Sequence, residues 1–429
     1  MDDGKVVIAK LPNPNAGRPH FATASEVATM DFLRDVMNVP IPKVIAWGSR
    51  ASESPVQADY ILMERQTGVT LSDVWDNLKG KQKVQILDQV VDIERRLASV
   101  QFTKFGALYY KEDLPEGSDS SSPLYRDSTG AEREIATAKA GLRYPLMPEG
   151  LFYGPRQYQP TLVKKLSPLE GYIEVASHVL PENNTTHVSV LWHGDLHSQN
   201  IFVDPEDPAR IVGIIDWQSV SACPLFMQVG RPAFLDYNGP VPDDLGKVPL
   251  PSNFDSMKQD EQRRAKALHQ AQSLHNLYLV RCLQRNKTAF QAIQDQISLR
   301  HQVSVIPGLV LMDYEPLLSN PLRDVQKEWA SIVGMTADGS PVTPFPLQFS
   351  EEEIRRQEQD GELWAQGVEL MDAFVSDTGS FKHWDGRASD VDYEQSRREL
   401  DEGVQRFLDR EARNEEERRG WLEALPFVD

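Results

Sequence analysis

Three polar side chains in the middle of the chain have the types and spacing needed for chemistry on a phosphate group. Asp195 is followed five positions later by Asn200, and Asp216 ends the next apolar stretch. A carboxylate and an amide oxygen suit Mg²⁺, which neutralises a triphosphate so that a nucleophile can approach it. A separate carboxylate can orient an incoming hydroxyl and accept its proton. Asn200 and Asp216 are thus the predicted Mg²⁺ ligands, and Asp195 the predicted base, for phosphoryl transfer from ATP.

The residues around these three predict the elements that must hold them. In segment 191–218, apolar residues lie on both sides of Asp195 and Asn200, which places the pair on a loop. Short strands are predicted at residues 200–204 and 211–216, with a turn between them that contains two prolines. The loop can then direct the base toward an acceptor and the amide back toward a metal.

The first 66 residues predict a small α+β unit. Three β-rich runs, at residues 5–11, 43–47 and 59–63, are predicted strands. Between the first two, Thr23 and Glu26 have the spacing of a capping box, and apolar residues at helical spacing follow them. The sequence thus predicts a helix that begins at Thr23 and packs on a three-stranded sheet.

The remaining chain, residues 67–429, is predicted to be mainly helical. A face of apolar residues at helical spacing begins with Ile86. Residues 106–166 interrupt this pattern with an irregular insert, which predicts a surface excursion. Residues 351–429 form an acidic helical tail with 23 Asp and Glu against 11 Lys and Arg, and a solvated helical face is the expectation there.

Composition excludes several classes of protein. The formal net charge is −19 and no segment clusters Lys and Arg without acidic residues, which argues against a nucleic-acid partner. No stretch of the sequence has the ~18 consecutive apolar residues of a membrane span. His193 and His197 flank an aspartate, but with two cysteines in the chain and no third ligand pattern a zinc site is not indicated.

The chemistry-bearing segment resembles a known superfamily. Residues 193–200 (HGDLHSQN), followed by IIDWQ at 214–218, resemble the aminoglycoside phosphotransferase and choline-kinase-like superfamily. Segments 6–17, 24–33 and 58–75 are similar to the same superfamily. Within it, the chain looks most similar to fungal phosphotransferase-like proteins of the altered-inheritance-of-mitochondria group.

The resemblance implies an α+β, two-lobed protein-kinase-like fold. Residues 1–66 would form a reduced N-terminal sheet lobe, and residues 67–429 a large, mainly helical C-terminal lobe. The same resemblance implies ATP and Mg²⁺ as cofactors and a hydroxyl of a small molecule as the phosphate acceptor.

On the nucleotide side, the resemblance implies roles for five residues. Lys10 matches the strand lysine that contacts the α and β phosphates, and Glu26 matches the helix carboxylate that pairs with it. Alone, either could be an ordinary surface or capping residue, but both precede a complete catalytic loop. Met63, Glu64 and Arg65 fall where the hinge between the lobes offers backbone groups to adenine.

On the catalytic loop, the resemblance implies the roles that the spacing also indicates. Asp195 would be the catalytic base, and Asn200 and Asp216 would be the Mg²⁺ ligands. His193 and His197 would be supporting residues that hold the loop in place.

One element of the superfamily is missing from the sequence. A glycine-bearing turn between two strands covers the phosphates there, whereas this sequence opens at the turn before the Lys10 strand, and no GxGxxG pattern occurs elsewhere. This departure favours an alternative, a pseudokinase that acts as a binding or scaffold module. The intact Asp195, Asn200 and Asp216 favour an enzyme, and their spacing gives little support to nucleotidyl transfer. Protein-kinase activity is not indicated, because no Ala-Pro-Glu pattern follows Asp216.

The predicted activity is transfer of the ATP γ-phosphate to a hydroxyl of a small molecule, with Mg²⁺. An acidic C-terminal lobe could attract a cationic acceptor such as an aminoglycoside or choline. As written, the chain carries no targeting segment, which predicts a cytoplasmic protein. A longer chain with an upstream transit peptide would instead agree with the mitochondrial association of the related group.

Overall fold

A computed structural model of the chain describes ten stretches of sequence. They are residues 6–12, 19–113, 123–127, 129–133, 159–180, 184–237, 239–242, 244–309, 315–378 and 393–424. The chain divides into two compact units, the first made of residues 1–158 and 179–305 and the second of residues 159–178 and 306–429. The predicted site residues all belong to the first unit. The division into lobes near Gln66 stays a prediction, because this first unit contains residues from both sides of it.

Strands and helices are interspersed along the chain up to Pro224. The strands are β1 (Val7–Lys10), β2 (Val44–Gly48), β3 (Tyr60–Glu64), β4 (Val69–Thr70), β5 (Gln101–Phe102), β6 (Tyr125–Arg126), β7 (Glu132–Arg133), β8 (Ser189–Val190), β9 (Ile201–Val203), β10 (Ile211–Ile214) and β11 (Cys223–Pro224). The helices are α1 (Pro19–Asp35), α2 (Leu71–Val74), α3 (Gly80–Ser99), α4 (Gln159–Val179), α5 (Leu225–Gln228), α6 (Gln259–Arg285), α7 (Lys287–Asp295), α8 (Leu299–Leu309), α9 (Glu315–Val333), α10 (Glu351–Thr378), α11 (Tyr393–Glu411) and α12 (Glu415–Ala424). Within the described residues, the last strand ends at Pro224 and the remaining elements are helical, which confirms the predicted α+β class.

The N-terminal sheet has three antiparallel strands in the order β1-β3-β2. Lys10 is the last residue of β1, and it pairs with Ile61 of the central strand β3. Helix α1 packs against β2 and β3 and buries Ala24, Val27 and Leu33 completely. The predicted unit of three strands and one helix is confirmed.

The predicted start of α1 at a capping box is wrong. The helix already begins at Pro19, and Thr23 and Glu26 lie in its second and third turns. Proline suits the first helical position, because its fixed φ fits a helix and its missing N–H would have no partner there. Thr23 and Glu26 are therefore free to point into the protein, where both are buried.

The loop that carries Asp195 connects strands that belong to two different sheets. Strand β8 before the loop belongs to a five-stranded sheet of order β11-β8-β5-β6-β7. Strand β9 after the loop lies between β10 and β4 in a separate three-stranded sheet. Both strands are short and buried, so the loop starts and ends at fixed points.

The loop that carries Asp195 packs on the large apolar core of the first unit. This core includes the face of α3 that begins with Ile86, as predicted, and it extends to Tyr278 and Cys282 of α6. Trp217, directly after Asp216, is 1 % exposed and is one of the largest side chains in this core. The backbone on either side of the predicted site is therefore packed on rigid elements.

The C-terminal end of α1 is tied to the rest of the first unit by polar contacts. The backbone N–H of Ile214, on β10, donates to Pro40 O at 2.8 Å. The Arg96 guanidinium on α3 donates to the backbone oxygens of Met37 and Asn38. The residues that follow α1 are thus fixed both to β10 and to α3.

The expected irregular insert is more ordered than predicted where the structure describes it. Gly106 forms a β-bridge with Ala222, β6 and β7 form a hairpin, and residues 159–166 belong to α4. Leu108 is only 2 % exposed and packs in the core, so this part is not a surface excursion. Apolar contacts far apart in sequence outweigh the irregular local pattern.

The second unit is helical in the residues that the structure describes. It contains most of α4 together with α9, α10, α11 and α12. Phe374 of α10 packs against Val404, Phe407 and Leu408 of α11. Among the described residues, no helix has the length and apolar composition needed to cross a membrane.

Glu94 of α3 is a carboxylic acid enclosed by the core. The hydroxyl of Tyr278 donates to both of its oxygens, at 3.2 and 3.0 Å. Burial raises the pKa of Glu94 to about 8, because a carboxylate is poorly solvated there. From about pH 5 to pH 8 the folded chain therefore keeps a proton that the unfolded chain has lost.

This proton makes the first unit lose stability as the pH rises toward 8. The expected loss is at most about 1.4 kcal/mol per pH unit, and Glu94→Gln should remove it, because the amide is never charged. Urea unfolding of both proteins at about pH 5.5 and about pH 7.5 measures the difference. Glu206→Gln, at an exposed glutamate, is the control. Equal pH slopes for Glu94→Gln and the wild type would contradict the raised pKa.

Candidate active site

The loop between β8 and β9 is closed by its own hydrogen bonds. The backbone N–H of His197 donates to Asp195 O at 3.0 Å, and that of Asn200 donates to His197 O at 3.0 Å. The side-chain amide nitrogen of Asn200 also donates to Asp195 O, at 3.0 Å. The five-residue spacing therefore brings Asn200 back to the start of the loop and leaves its amide oxygen as an acceptor for a cation.

His193 joins this loop to the strand end that carries Asp216. Its Nδ1 accepts from the backbone N–H of Asp195 at 3.3 Å, and its Nε2 donates to Ile215 O at 3.0 Å. Burial lowers the pKa of His193, which favours the neutral ring that this donor and acceptor pattern requires. The ring also packs edge-on against Trp217, with 4.6 Å between centroids. The predicted supporting role of His193 thus has a geometric basis.

His197 supports the loop from its exposed side. Its Nδ1 accepts from the backbone N–H of Gln199 at 3.2 Å, so the proton of the neutral ring lies on Nε2. That nitrogen is 3.6 Å from a carboxylate oxygen of Asp195. The Asp195 side chain itself is 72 % exposed, as a base that must reach a diffusing acceptor requires.

Asp216 projects from a turn with unusual backbone geometry. It follows β10 with a φ of 66°, and Ser219 three residues later has a φ of 60°. Aspartate is among the few non-glycine residues that occupy this left-handed region readily. The turn directs the Asp216 carboxylate toward β1, where its Oδ1 lies 3.3 Å from Lys10 Nζ.

Lys10 connects the N-terminal sheet to Asp216. Its Nζ donates to Glu26 Oε1 at 2.7 Å as well as to Asp216 Oδ1 at 3.3 Å. Glu26 is 7 % exposed, and burial raises its pKa while the Lys10 ammonium acts in the opposite direction. The predicted lysine and glutamate pair is therefore present, and it faces the predicted metal ligand.

A cleft opens beside this group of three charged residues. Its lining residues come from β1, α1, β3 and the turn after Asp216, and they are Lys10, Pro12, Ala22, Thr23, Glu26, Ile61, Gln218 and Ser219. The buried hydroxyl of Thr23 has no hydrogen-bond partner within the described part of the chain. Sequence reasoning missed Thr23, which it assigned to a helix cap, and gave no role to Gln218 and Ser219.

Met63, Glu64 and Arg65 are not brought into this cleft. They lie at the end of β3, where Glu64 N–H donates to Lys43 O at 2.9 Å and Arg65 N–H donates to Val6 O at 3.4 Å. These two donors are used by neighbouring chain segments, so a contact with adenine would need other groups. Their role in nucleotide binding stays a prediction.

The donor set of the site suits a hard divalent cation. Asp216 offers a carboxylate and Asn200 an amide oxygen, and Mg²⁺ is commonly held by one or two such groups together with phosphates and water. Among the described residues no group of three His, Cys, Asp or Glu side chains could hold a metal ion alone. The residues present therefore fit Mg²⁺ carried by a nucleotide better than a metal held only by protein.

Lys10 on β1, Glu26 on α1 and Asp216 after β10 form one group of charged side chains, as expected for a phosphotransferase-like fold. Residues 2–227, more than half of the chain, match the phosphotransferase enzyme family, and the chain belongs to that family. The superfamily expected from the sequence and its protein-kinase-like fold are thereby confirmed.

Similar proteins are known from several fungi. A subtelomeric hrmA-associated cluster protein of Aspergillus fumigatus is 30% identical over 441 residues, which cover 86% of this chain and 82% of that protein. Altered inheritance of mitochondria protein 9, mitochondrial, of Yarrowia lipolytica is 24% identical and is aligned over 85% of this chain and 70% of its own length. Among solved structures, the gentamicin-APH(2")-IIa complex matches with a TM-score of 0.31 and 12% identity, over 74% of this chain and 84% of that one.

Proposed function

We propose that this protein transfers the γ-phosphoryl group of ATP to a hydroxyl of a small molecule, with Mg²⁺ as cofactor. The observation that carries the proposal is the position of Lys10 Nζ, 2.7 Å from Glu26 and 3.3 Å from Asp216. Lys10 and Glu26, which line the cleft, are thus joined to the proposed metal ligand Asp216.

The nucleotide would be held by charge. Lys10, oriented by the buried Glu26, contacts phosphate oxygens, and its ammonium offsets part of their negative charge. Asn200 and Asp216 would hold Mg²⁺, which neutralises the triphosphate and supplies a Lewis acid. Because Asn200 is tied to Asp195 O, the metal ligand and the base keep a fixed distance along the loop.

The transfer step assigns the remaining role to Asp195. The hydroxyl oxygen of the acceptor forms a bond to the γ-phosphorus while the bond to the oxygen bridging the β and γ phosphates breaks, and its electron pair leaves with ADP. The Asp195 carboxylate orients the hydroxyl and takes its proton. His193 and His197 act through Asp195, by fixing its backbone N–H and approaching its carboxylate.

The proposal is tested by calorimetry of Mg-ATP binding to the full 429-residue chain, with EDTA as the metal-free control. Binding that disappears in EDTA is the expected result. A folded protein that binds no Mg-ATP would overturn the proposal and favour the alternative of a pseudokinase scaffold.

Glu26→Gln tests the role of the buried carboxylate. The amide can still accept a hydrogen bond from Lys10 but loses the charge, which lowers the strength of the contact by about 1.4 kcal/mol. Mg-ATP affinity is expected to fall about tenfold. Glu53→Gln, at an exposed glutamate of the same unit, is the matched control. Unchanged affinity in Glu26→Gln would show that the pair does not orient Lys10 for phosphate.

For the location of the protein, mitochondria are the compartment to test first. The relatives from Yarrowia lipolytica and Saccharomyces cerevisiae carry the word mitochondrial in their names. A tagged copy of the complete gene product should then co-fractionate with mitochondria, and recovery in the cytosol alone would contradict this.

A further inference from the structure

The segment from Gly106 to Asp113, called the strap below, links α1 to the chain that follows Asp216. We propose that the strap holds α1 in the position where Glu26 reaches Lys10, and that Tyr109 and Tyr110 are positioning residues for the reaction. The inference rests on the proposed phosphotransferase function. Within the described residues neither tyrosine is hydrogen-bonded to a residue that would contact nucleotide, so both act through α1.

One end of the strap is anchored next to the active site. Gly106 and Ala222 exchange two backbone hydrogen bonds, each of 2.8 Å. Ala222 lies six residues after Asp216 and is completely buried. Leu108 then inserts into the core of the first unit with 2 % exposure. This end of the strap is therefore fixed to the turn that presents Asp216.

The other end of the strap contacts α1 through two tyrosines. The hydroxyl of Tyr110 donates to Asp31 Oδ2, and its ring stacks on Trp47 of β2 with 5.9 Å between centroids. The Tyr109 hydroxyl lies beside the side chain of Ser25, the residue directly before Glu26. These contacts bind the strap to α1 at two points, six residues apart.

A third contact joins the strap to the first turn of α1. The Tyr109 ring packs edge-on against Phe21, with 6.0 Å between centroids and an interplanar angle of 82°. Burial raises the pKa of both Tyr109 and Tyr110, so both hydroxyls keep their protons at neutral pH. The sheet supports α1 on one side, and the strap supports it on another.

The test removes single hydroxyls and follows α1 directly. Tyr110→Phe keeps the ring and loses the hydrogen bond to Asp31. Tyr109→Phe keeps the ring and removes the hydroxyl beside Ser25. Hydrogen exchange of residues 19–35 is expected to become about fivefold faster in each variant, because α1 leaves its docked position more often. Acetylation of Lys10 by a small acyl ester is expected to accelerate by a similar factor, because a lysine released from Glu26 is more accessible.

Two internal references separate release of α1 from unfolding. Lys83 on α3 is buried, so its acetylation rate rises only if the unit opens as a whole. Tyr60→Phe, on β3, changes a tyrosine whose hydroxyl makes no hydrogen bond within the described residues, and it should behave as the wild type. Asp31→Asn keeps a neutral acceptor for Tyr110, so it should speed the exchange of α1 less than Tyr110→Phe does.

Exchange and acetylation need no turnover, so the two proposals can fail separately. Wild-type α1 exchange and Lys10 acetylation in both Tyr→Phe variants would overturn the role of the strap, even if the protein binds Mg-ATP. Faster exchange in residues 19–35 with an unchanged Lys83 rate supports it, even if no nucleotide binds. Where Mg-ATP does bind, its dissociation constant should rise in Tyr109→Phe by the factor by which the docked fraction of α1 falls.

Discussion

Asp195→Asn is expected to abolish phosphoryl transfer while nucleotide binding persists. The amide can still contact an acceptor hydroxyl but cannot take its proton, and loss of a general base lowers rates by about 10²- to 10⁴-fold. Because the Asp195 side chain is mostly exposed and is not a predicted metal ligand, Mg-ATP affinity should stay within about twofold of wild type. ADP release with water and with a panel of small alcohols as acceptors measures the rate.

Asp207→Asn is the matched control for this experiment. It makes the same chemical change at an exposed aspartate in the turn between β9 and β10. Full activity in this control, combined with loss in Asp195→Asn, would assign the effect to the base. An Asp195→Asn protein that still releases ADP at the wild-type rate would show that another group accepts the proton.

Asp216→Asn is expected to remove the dependence of ATP binding on magnesium. Asparagine also adopts a φ near 66°, so the turn should keep its shape while the carboxylate charge disappears. Loss of a charged metal ligand should weaken Mg-ATP binding by at least about 100-fold. Calorimetry with and without EDTA measures this, and the two titrations of the variant should agree.

The same calorimetry distinguishes a metal role from a purely structural role of Asp216. The Asp207→Asn protein should bind Mg-ATP as the wild type does, because that side chain is exposed in the turn between β9 and β10 and is not a predicted site residue. If Asp216→Asn retains wild-type affinity in the presence of magnesium, the assignment of Asp216 as a metal ligand is wrong. Asp216 would then serve only to orient Lys10.

Local spacing predicted much of the candidate site, because its central part is one short stretch of chain. The distance of five residues from Asp195 to Asn200 fixes how the loop can close, and the structure closes it through Asp195 O. The pairing of Lys10 with Glu26 was predicted from resemblance and is present at 2.7 Å. Local patterns also predicted β1, β2, β3, β9 and β10 to within a few residues.

Local sequence patterns do not predict contacts between distant parts of the chain. Tyr110 and Asp31 are separated by 79 positions, and nothing in the irregular sequence around Tyr110 indicates such a partner. The start of α1 was misplaced because Thr23 and Glu26 fit a capping box, although tertiary contacts bury both. Met63, Glu64 and Arg65 were assigned from resemblance alone, which cannot show that neighbouring segments use the N–H groups of Glu64 and Arg65.

Because α1 is fixed at its C-terminal end, a rotation about that end moves Glu26 by an amount set by the helix length. The residues that follow its C-terminal end are fixed by hydrogen bonds. Pro40 O accepts from β10, and Met37 O and Asn38 O accept from Arg96. Glu26 lies nine residues from that end, an arm of about 14 Å. A rotation of α1 by about 10° about this fixed end would move the Glu26 carboxylate by roughly 2 Å. That displacement is enough to break its contact with Lys10. A small swing of one helix can therefore switch the charge pair on or off without any change in the catalytic loop.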